Sequence, residues 1–317
     1  MCDNGFFPQE LIIEVTNFCN LRCRHCHFHG HKKLQKRKTG FMEPYIWNRV
    51  LDELKELDRP VNLMTHGAGE PLLYRQLFDL LEKAKKNPRL TVGFMCNGML
   101  LDKKQADMLV DLQVDFIAFS VDGTIPETHD YYRVNANLEQ IENNINYLIE
   151  KKAQQKSPVP ALHFNMVGYP DILDQTMDYV RKWLPSAQAV NIAAFRPVGS
   201  RKLWNKNMAI PFKPCPLLWN QMVVSYDGKV GLCCEDINIE VPLGTLYKNT
   251  LYDIYNTSPG LIQYRKKHLD KNLSELHLCS DCHSWAGDVI LKNDVFTLDG
   301  IQVKSQVTPA FTTYSRV

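Results

Sequence analysis

Six short runs rich in apolar and β-branched residues, at 11–15, 61–65, 90–95, 114–120, 161–167 and 189–195, constrain this chain most. Between them apolar residues recur at helical spacing, over about 43–57, 73–87, 103–112, 138–152 and 171–183. Parallel neighbouring strands need a crossover long enough to hold a helix, so this alternation specifies an α/β fold around a parallel sheet. Six strands rather than eight predict a partial (β/α)6 TIM-like barrel, open where a complete barrel closes.

The alternation stops near residue 205, where Pro211, Pro214 and Pro216 punctuate the change. The expected division is a barrel over 1–205 and a small C-terminal domain over 206–317, and 317 residues suffice for both. Gln221–Tyr226 and Lys229–Cys233, joined by Asp227-Gly228, read as a β-hairpin. The tail 295–317 reads as extended or loosely ordered, and the basic string Lys32–Lys38 as a solvated loop. A net charge of +2 argues against a nucleic-acid surface. No apolar stretch approaches the ~20 residues of a membrane-spanning helix, so no membrane partner is expected. The start, MCDNGFFPQE, lacks the basic and apolar regions of a secretory signal. Ten cysteines at ligand-type spacings predict a cytoplasmic metalloprotein rather than a disulfide framework.

In parallel α/β barrels the loops after the carboxyl ends of the strands build the site. The unusual residues fall there. Cys19, Cys23 and Cys26 follow the first strand, and His66-Gly67-Ala68-Gly69-Glu70-Pro71 follows the second. Cys96-Asn97-Gly98 follows the third and Ser120-Val121-Asp122-Gly123 the fourth. Asn165 ends the fifth, and Phe195-Arg196-Pro197 ends the sixth. Glycines at such ends let a ligand approach the main chain closely. One loop of this kind is a turn; all of them on one edge of a sheet make a cofactor site.

Thiolates are the usual ligands of iron–sulfur clusters, which normally take four. A local group of three, Cys19, Cys23 and Cys26, leaves one iron open, and an open metal position is where chemistry happens. A zinc knuckle would use the same thiols. Cys215, Cys233, Cys279 and Cys282 form a second set that can close a four-ligand site, for iron or for zinc.

The string CNLRCRHC, the loop Ala68-Gly69-Glu70-Pro71 and Ser120-Val121-Asp122-Gly123 resemble the signatures of the radical S-adenosylmethionine (SAM) superfamily, over roughly residues 8–200. The resemblance implies a 4Fe–4S cluster on Cys19, Cys23 and Cys26, with SAM chelating the open iron. It implies that Gly69 and Glu70 bind the SAM amino group and that Arg133 pairs the SAM carboxylate. His25, Asn97, Ser120 and Asn165 are implied as further contacts to the cofactor. Ala68 stands where the family has a first glycine, and Cys96 where it usually has threonine. Asp122 is expected to shape the turn, and His27, His29 and His31 to decorate the loop.

After such a core, the second cysteine set resembles the auxiliary-cluster domain called SPASM, or its shortened form, twitch. It implies one auxiliary 4Fe–4S cluster on Cys215, Cys233, Cys279 and Cys282. Asp288 and Lys292 stand where the full pattern continues with cysteine, so two clusters are the expected limit. The implied chemistry is reductive cleavage of SAM to a 5′-deoxyadenosyl radical that abstracts hydrogen from an unactivated C–H bond. The expected substrate is a small polar metabolite or a peptide, oxidised by dehydrogenation or crosslinking with help from the auxiliary cluster. Flavodoxin or ferredoxin is the expected electron donor. The alternative is redox-neutral epimerisation with Cys234 as hydrogen-atom donor; Cys96 is a lesser candidate, and Cys2 is read as incidental. A non-catalytic iron–sulfur or zinc protein would have no use for Glu70, Asn97 and Ser120. With Cys19 so near the start, no room is expected for a leader-binding module, which tilts the substrate toward a small metabolite or short peptide.

Overall fold

A computed structural model describes residues 7–30, 34–203, 210–287 and 289–317. Cys2, His31, Lys32, Lys33 and Asp288, which figure in the expectations above, lie outside the described residues. The chain opens with β1 (Glu10–Ile13), α1 (Pro44–Lys55), β2 (Val61–Met64), α2 (Leu77–Lys85) and β3 (Leu90–Cys96). It continues through α3 (Lys103–Asp111), β4 (Phe116–Ser120), α4 (Pro126–Tyr132), α5 (Leu138–Gln154), β5 (Ala161–Gly168), α6 (Thr176–Trp183) and β6 (Ala189–Ala194). Then come α7 (Leu217–Asn220), β7 (Gln221–Val224), β8 (Lys229–Gly231), β9 (Gly244–Thr245), α8 (Leu251–Thr257) and α9 (Pro259–Leu269). The chain ends in β10 (Lys292–Leu298), β11 (Ile301–Val307) and β12 (Phe311–Arg316).

Every strand and helix of the predicted alternation is present, with the ends decided by local chemistry. Pro44 opens α1, where a missing N–H costs nothing. Asp102 and Gln105 form a reciprocal capping box that starts α3. The second helix begins at Leu77 rather than 73, because Pro71–Leu73 is a separate 3-10 turn whose Leu72 N–H donates to Glu70 Oε1 at 3.1 Å. The helix α4 was not legible as a periodic segment, having only seven residues. No described helix is long and apolar enough to cross a membrane.

Two compact units are built from interleaved stretches of chain. The first comprises the residues up to Cys19, Gln35–Phe94 and Phe212–Asp281. In it β2 is parallel to both β3 and β1, and β7 joins β1 on its other side, also parallel, with Ile12 opposite Val223. The predicted hairpin is β7 with β8, antiparallel, turning at Gly228 with φ of 76°. Leu11, Ile13, Leu63, Val92 and Phe94 on the strands are fully buried, as are Val50 of α1 and Leu77, Leu80 and Leu81 of α2. Each such side chain contributes about 1.5–3 kcal/mol.

Within the described part of the basic string Lys36 and Lys38 are exposed, as a solvated loop predicts, but Arg37 is not. Arg37 reaches inward, its Nη1 and Nη2 donating to the two carboxylate oxygens of Glu14 at 2.7 and 2.9 Å. The same guanidinium donates to Ser225 Oγ at 2.6 Å and, through Nε, to the Ile237 carbonyl at 2.8 Å. Glu14 also accepts the Ala68 N–H at 3.0 Å, and only 4% of it is exposed. Arg37→Met should therefore cost about 3–5 kcal/mol in urea unfolding, because it strands a buried carboxylate. The double variant Glu14→Leu/Arg37→Met should regain most of that stability; an equally unstable double variant would mean that packing, not charge, holds the loop.

The second unit comprises Asn20–Leu34, Met95–Pro211 and Cys282–Val317. Here β4, β5 and β6 are parallel, while β12 pairs antiparallel with β6, β11 with β12 and β10 with β11. The tail is thus an ordered three-stranded extension, not loosely ordered chain. Its first turn is Asp299-Gly300, both with positive φ (48° and 84°), the backbone that a tight hairpin requires. On one face of this sheet Phe119, Phe164 and Val190 are fully buried, with Phe164 stacked on Trp183 of α6 at 4.2 Å.

Candidate functional site

In the second unit the loop carrying Cys23 and Cys26 lies along the segment after α4. The Arg22 N–H donates to the Val134 carbonyl at 2.9 Å and the Arg24 N–H to the Tyr132 carbonyl at 2.8 Å. Between those two anchors stands Arg133, only 6% exposed. Its Nε lies 2.9 Å from Asp122 Oδ2, its Nη2 donates to Asp122 Oδ1 at 3.2 Å, and its Nη1 lies 4.0 Å from Cys23 Sγ. Arg133 is therefore not a surface helix residue. Asp122 does more than shape a turn: fully buried, it holds Arg133 and also accepts the Val167 N–H at 2.8 Å. Burial pushes the Asp122 carboxyl up, but the Arg133 guanidinium, the His25 ring and that amide together leave it below its ordinary value. Burial pushes the Cys23 thiol up to about 11 against the opposing pull of Arg133.

His25 touches the Tyr169 hydroxyl through Nδ1 and lies 4.0 Å from Asp122. Burial, then Arg133, lowers it to about 4, so the ring is neutral. Tyr169 in turn stacks on Tyr132 at 3.6 Å and packs against Phe195 at 5.2 Å. Asn97, at the end of β3, donates to Asn20 Oδ1 at 2.9 Å and so ties that strand end to the cysteine loop. His27 and His29 flank Phe28 in the loop, and the His29 N–H donates to Cys26 Sγ at 3.1 Å.

In the first unit the chain leading to Cys19 runs under the Ala68–Pro71 loop. The Glu70 N–H donates to the Phe18 carbonyl at 2.7 Å. A Cβ on Gly69 would sit 2.4 Å from that carbonyl and 2.5 Å from the Thr16 carbonyl, so only glycine fits. Glu70 itself is 2% exposed. Cys215 and Cys233 are buried, and the Cys215 N–H donates to His268 Nδ1 at 3.2 Å. Cys279 is half-buried and follows Leu276, whose carbonyl accepts its N–H at 2.9 Å. Cys234 is exposed, and with Cys233, Glu14, Arg37, His66 and Ser225 it lines a cavity of about 130 Å³. Cys282 belongs to the second unit, where its Sγ accepts the Ser284 N–H at 3.4 Å.

Among the described residues no three His, Cys, Asp or Glu side chains converge as a ready-made metal site. What the loops supply is donor chemistry. Cys26 and Cys282 each receive a backbone N–H on sulfur, an arrangement that favours a thiolate ligand. Burial keeps the Cys23 thiol protonated, and a bound metal would favour its thiolate. Gly69 lets the Ala68–Pro71 loop approach the main chain of Thr16 and Phe18 closely, just before Cys19.

Thiol-bearing loops on an α/β fold carry the donor chemistry of an iron–sulfur protein. Residues 13–184 match the radical SAM superfamily, and residues 215–283 match the SPASM iron–sulfur cluster-binding domain. The chain belongs to the radical SAM superfamily, with SAM and a 4Fe–4S cluster as its cofactors and further iron–sulfur binding in the SPASM domain. It is 23% identical to the S-adenosyl-L-methionine-dependent 2-deoxy-scyllo-inosamine dehydrogenase of Niallia circulans, over 86% of this chain and 91% of that protein. It spans about half the length of most curated relatives it matches, between 30% and 61%. Its fold is that of BtrN in complex with AdoMet and 2-DOIA (TM-score 0.59, 19% identity, 87% of this chain and 93% of that one). SuiB of Streptococcus suis bound to precursor peptide SuiA shares it as well (TM-score 0.63, 14% identity, 82% and 67%). The expected class, an α/β partial barrel with a C-terminal iron–sulfur domain, is the class of this family.

Three features of the site were not read from the sequence. Asp122 as the partner of Arg133 lies 11 residues away, and only the turn of α4 brings them together. Tyr169 follows Gly168 at the end of β5, a strand-end position that signals a site although no motif marks it. Asn191 sits inside β6, where alternation alone gives it no distinction.

Proposed function

We propose that this radical SAM enzyme oxidises a small polar metabolite, removing two hydrogens, with one auxiliary cluster as the electron acceptor. The near-full-length likeness to the Niallia circulans dehydrogenase carries this reading. When bound, SAM and its cluster supply a 5′-deoxyadenosyl radical able to take hydrogen from an unactivated carbon. The roles assigned to this chain are binding and orientation. Cys19, Cys23 and Cys26 hold the first cluster; Gly69 and Glu70 receive the SAM ammonium; Asn97, Ser120 and Asn165 line the cofactor. Arg133, locked on Asp122, sets a positive charge beside Cys23 that favours an anionic cofactor group. His25, kept neutral, packs its ring against Tyr169. Cys215, Cys233, Cys279 and Cys282 hold the auxiliary cluster in a domain spanning about 206–317, after a barrel spanning 1–205. The cavity beside Cys233 supports a substrate position next to that cluster. A flavodoxin or ferredoxin supplies the electron, in the reducing cytoplasm.

A peptide substrate and epimerisation through Cys234 form the second reading, favoured by the exposure of Cys234 on the same cavity. The two separate in one experiment on the reconstituted enzyme, with aminocyclitols and short peptides as substrates in D₂O. Oxidation gives a product two mass units lighter, no deuterium on the reacting carbon, and turnover largely kept in Cys234→Ala. A product of unchanged hydrogen count carrying one deuterium, together with a stalled Cys234→Ala variant, would replace oxidation by epimerisation.

A further inference from the structure

One polar row crosses the sheet of the second unit. Ser120 on β4 stands opposite Asn165 on β5, Asn165 opposite Asn191 on β6, and Asn191 opposite Thr313 on β12. All four are half-buried, on the face turned away from Phe119, Phe164 and Val190. The hydrogen bonds along the row have a direction. The Thr313 hydroxyl donates to Asn191 Oδ1 at 2.8 Å, and Asn191 Nδ2 donates to Asn165 Oδ1 at 2.9 Å. Each amide has one acceptor end and one donor end, so the orientation of Asn191 decides that of Asn165. With its oxygen engaged by Asn191, Asn165 has its two amide N–H groups left to offer a ligand.

We propose that Asn191 and Thr313 are positioning residues that make Asn165 a hydrogen-bond donor toward an oxygen of bound SAM. This rests on the reading of Asn165 as a SAM contact. The C-terminal strand β12, far from the family's motifs, thereby takes part in cofactor recognition through the hydroxyl of Thr313. Asn191→Asp replaces the donor by a second acceptor, which turns the Asn165 amide around and presents its oxygen to the cofactor. Thr313→Val removes the hydroxyl that fixes Asn191, whereas Thr313→Ser keeps it.

Calorimetric SAM binding to the anaerobically reconstituted protein tests this, with iron content and melting temperature as controls. Asn165→Ala and Asn191→Asp should each weaken SAM binding about 5- to 10-fold, the worth of one neutral hydrogen bond. Thr313→Val should weaken it by about the same factor or somewhat less, and Thr313→Ser should restore it. A parallel titration with 5′-methylthioadenosine, which lacks the carboxylate, identifies the acceptor. An effect retained there assigns a ribose oxygen, and an effect lost there assigns the carboxylate; either supports the relay. If Asn165→Ala weakens SAM binding but Asn191→Asp and Thr313→Val leave it unchanged, the relay is wrong. If Asn165→Ala itself has no effect, the underlying contact is wrong and the relay falls with it.

Discussion

Changing Cys19, Cys23 and Cys26 together to alanine is expected to abolish SAM cleavage while leaving about half of the bound iron. Two four-iron clusters give about eight irons per chain in an anaerobic reconstitution, and the variant should keep about four. The loss is complete because no other described thiol stands in the Asn20–Leu34 loop, and the amide of His29 can stabilise a ligand only at Cys26. The surviving iron belongs to the other cysteine set, whose buried members Cys215 and Cys233 the substitution does not touch. Iron analysis and 5′-deoxyadenosine release are the two measurements. Zinc in place of the remaining iron would overturn the auxiliary-cluster assignment and leave the first cluster untouched.

Arg133→Met is expected to have the second-largest effect. Asp122 is wholly buried, and without the guanidinium its charge has no compensation, at a cost of about 3–5 kcal/mol. The pH dependence should change sign. In the wild type the Asp122 carboxyl lies below its ordinary value, so its contribution is present above the ordinary carboxylate range and is lost as pH falls. In the variant burial dominates and raises the group, so protonation relieves the penalty. Between pH 7 and pH 5 the variant should gain stability in urea titrations while the wild type gains none. A variant whose deficit is the same at both pH values would show that Arg133 acts by packing alone. Because Arg133 lies between the carbonyls that anchor Arg22 and Arg24, the variant should also retain iron less firmly.

How much of this was legible varies with the range of the interaction. The strands of the alternation announce themselves because β-branched runs are local, and the strand-end loops follow from them. The cysteine sets and the Gly69-Glu70 loop are legible because their spacing is itself the chemistry. Arg37 was not legible within the basic string because a charge run averages over its members; it differs from Lys36 and Lys38 through Glu14, Ser225 and Ile237, which are 23, 188 and 200 residues away. The order of the final strands was not legible, although Asp299-Gly300 is a hairpin signal, because alternation in β10 to β12 is mostly polar and the strand that anchors them, β6, pairs from 122 residues away. Asn191 was invisible for the same reason: a directed hydrogen-bond chain depends on register between strands, which no single segment encodes.

The parallel pairing of β1 with β7 has a consequence for how this protein is made. Glu10 and Gln221, 211 positions apart in sequence, bond across that pair. On the ribosome β1 must wait until β7 has been made before both of its edges are covered. Contacts of such separation form late and slowly, because the loop they close must first be brought together. The nascent chain therefore holds an apolar, half-paired edge beside Cys19 until β7 has emerged. A settled first unit around Cys19 is thereby deferred until translation has passed the β7–β8 hairpin.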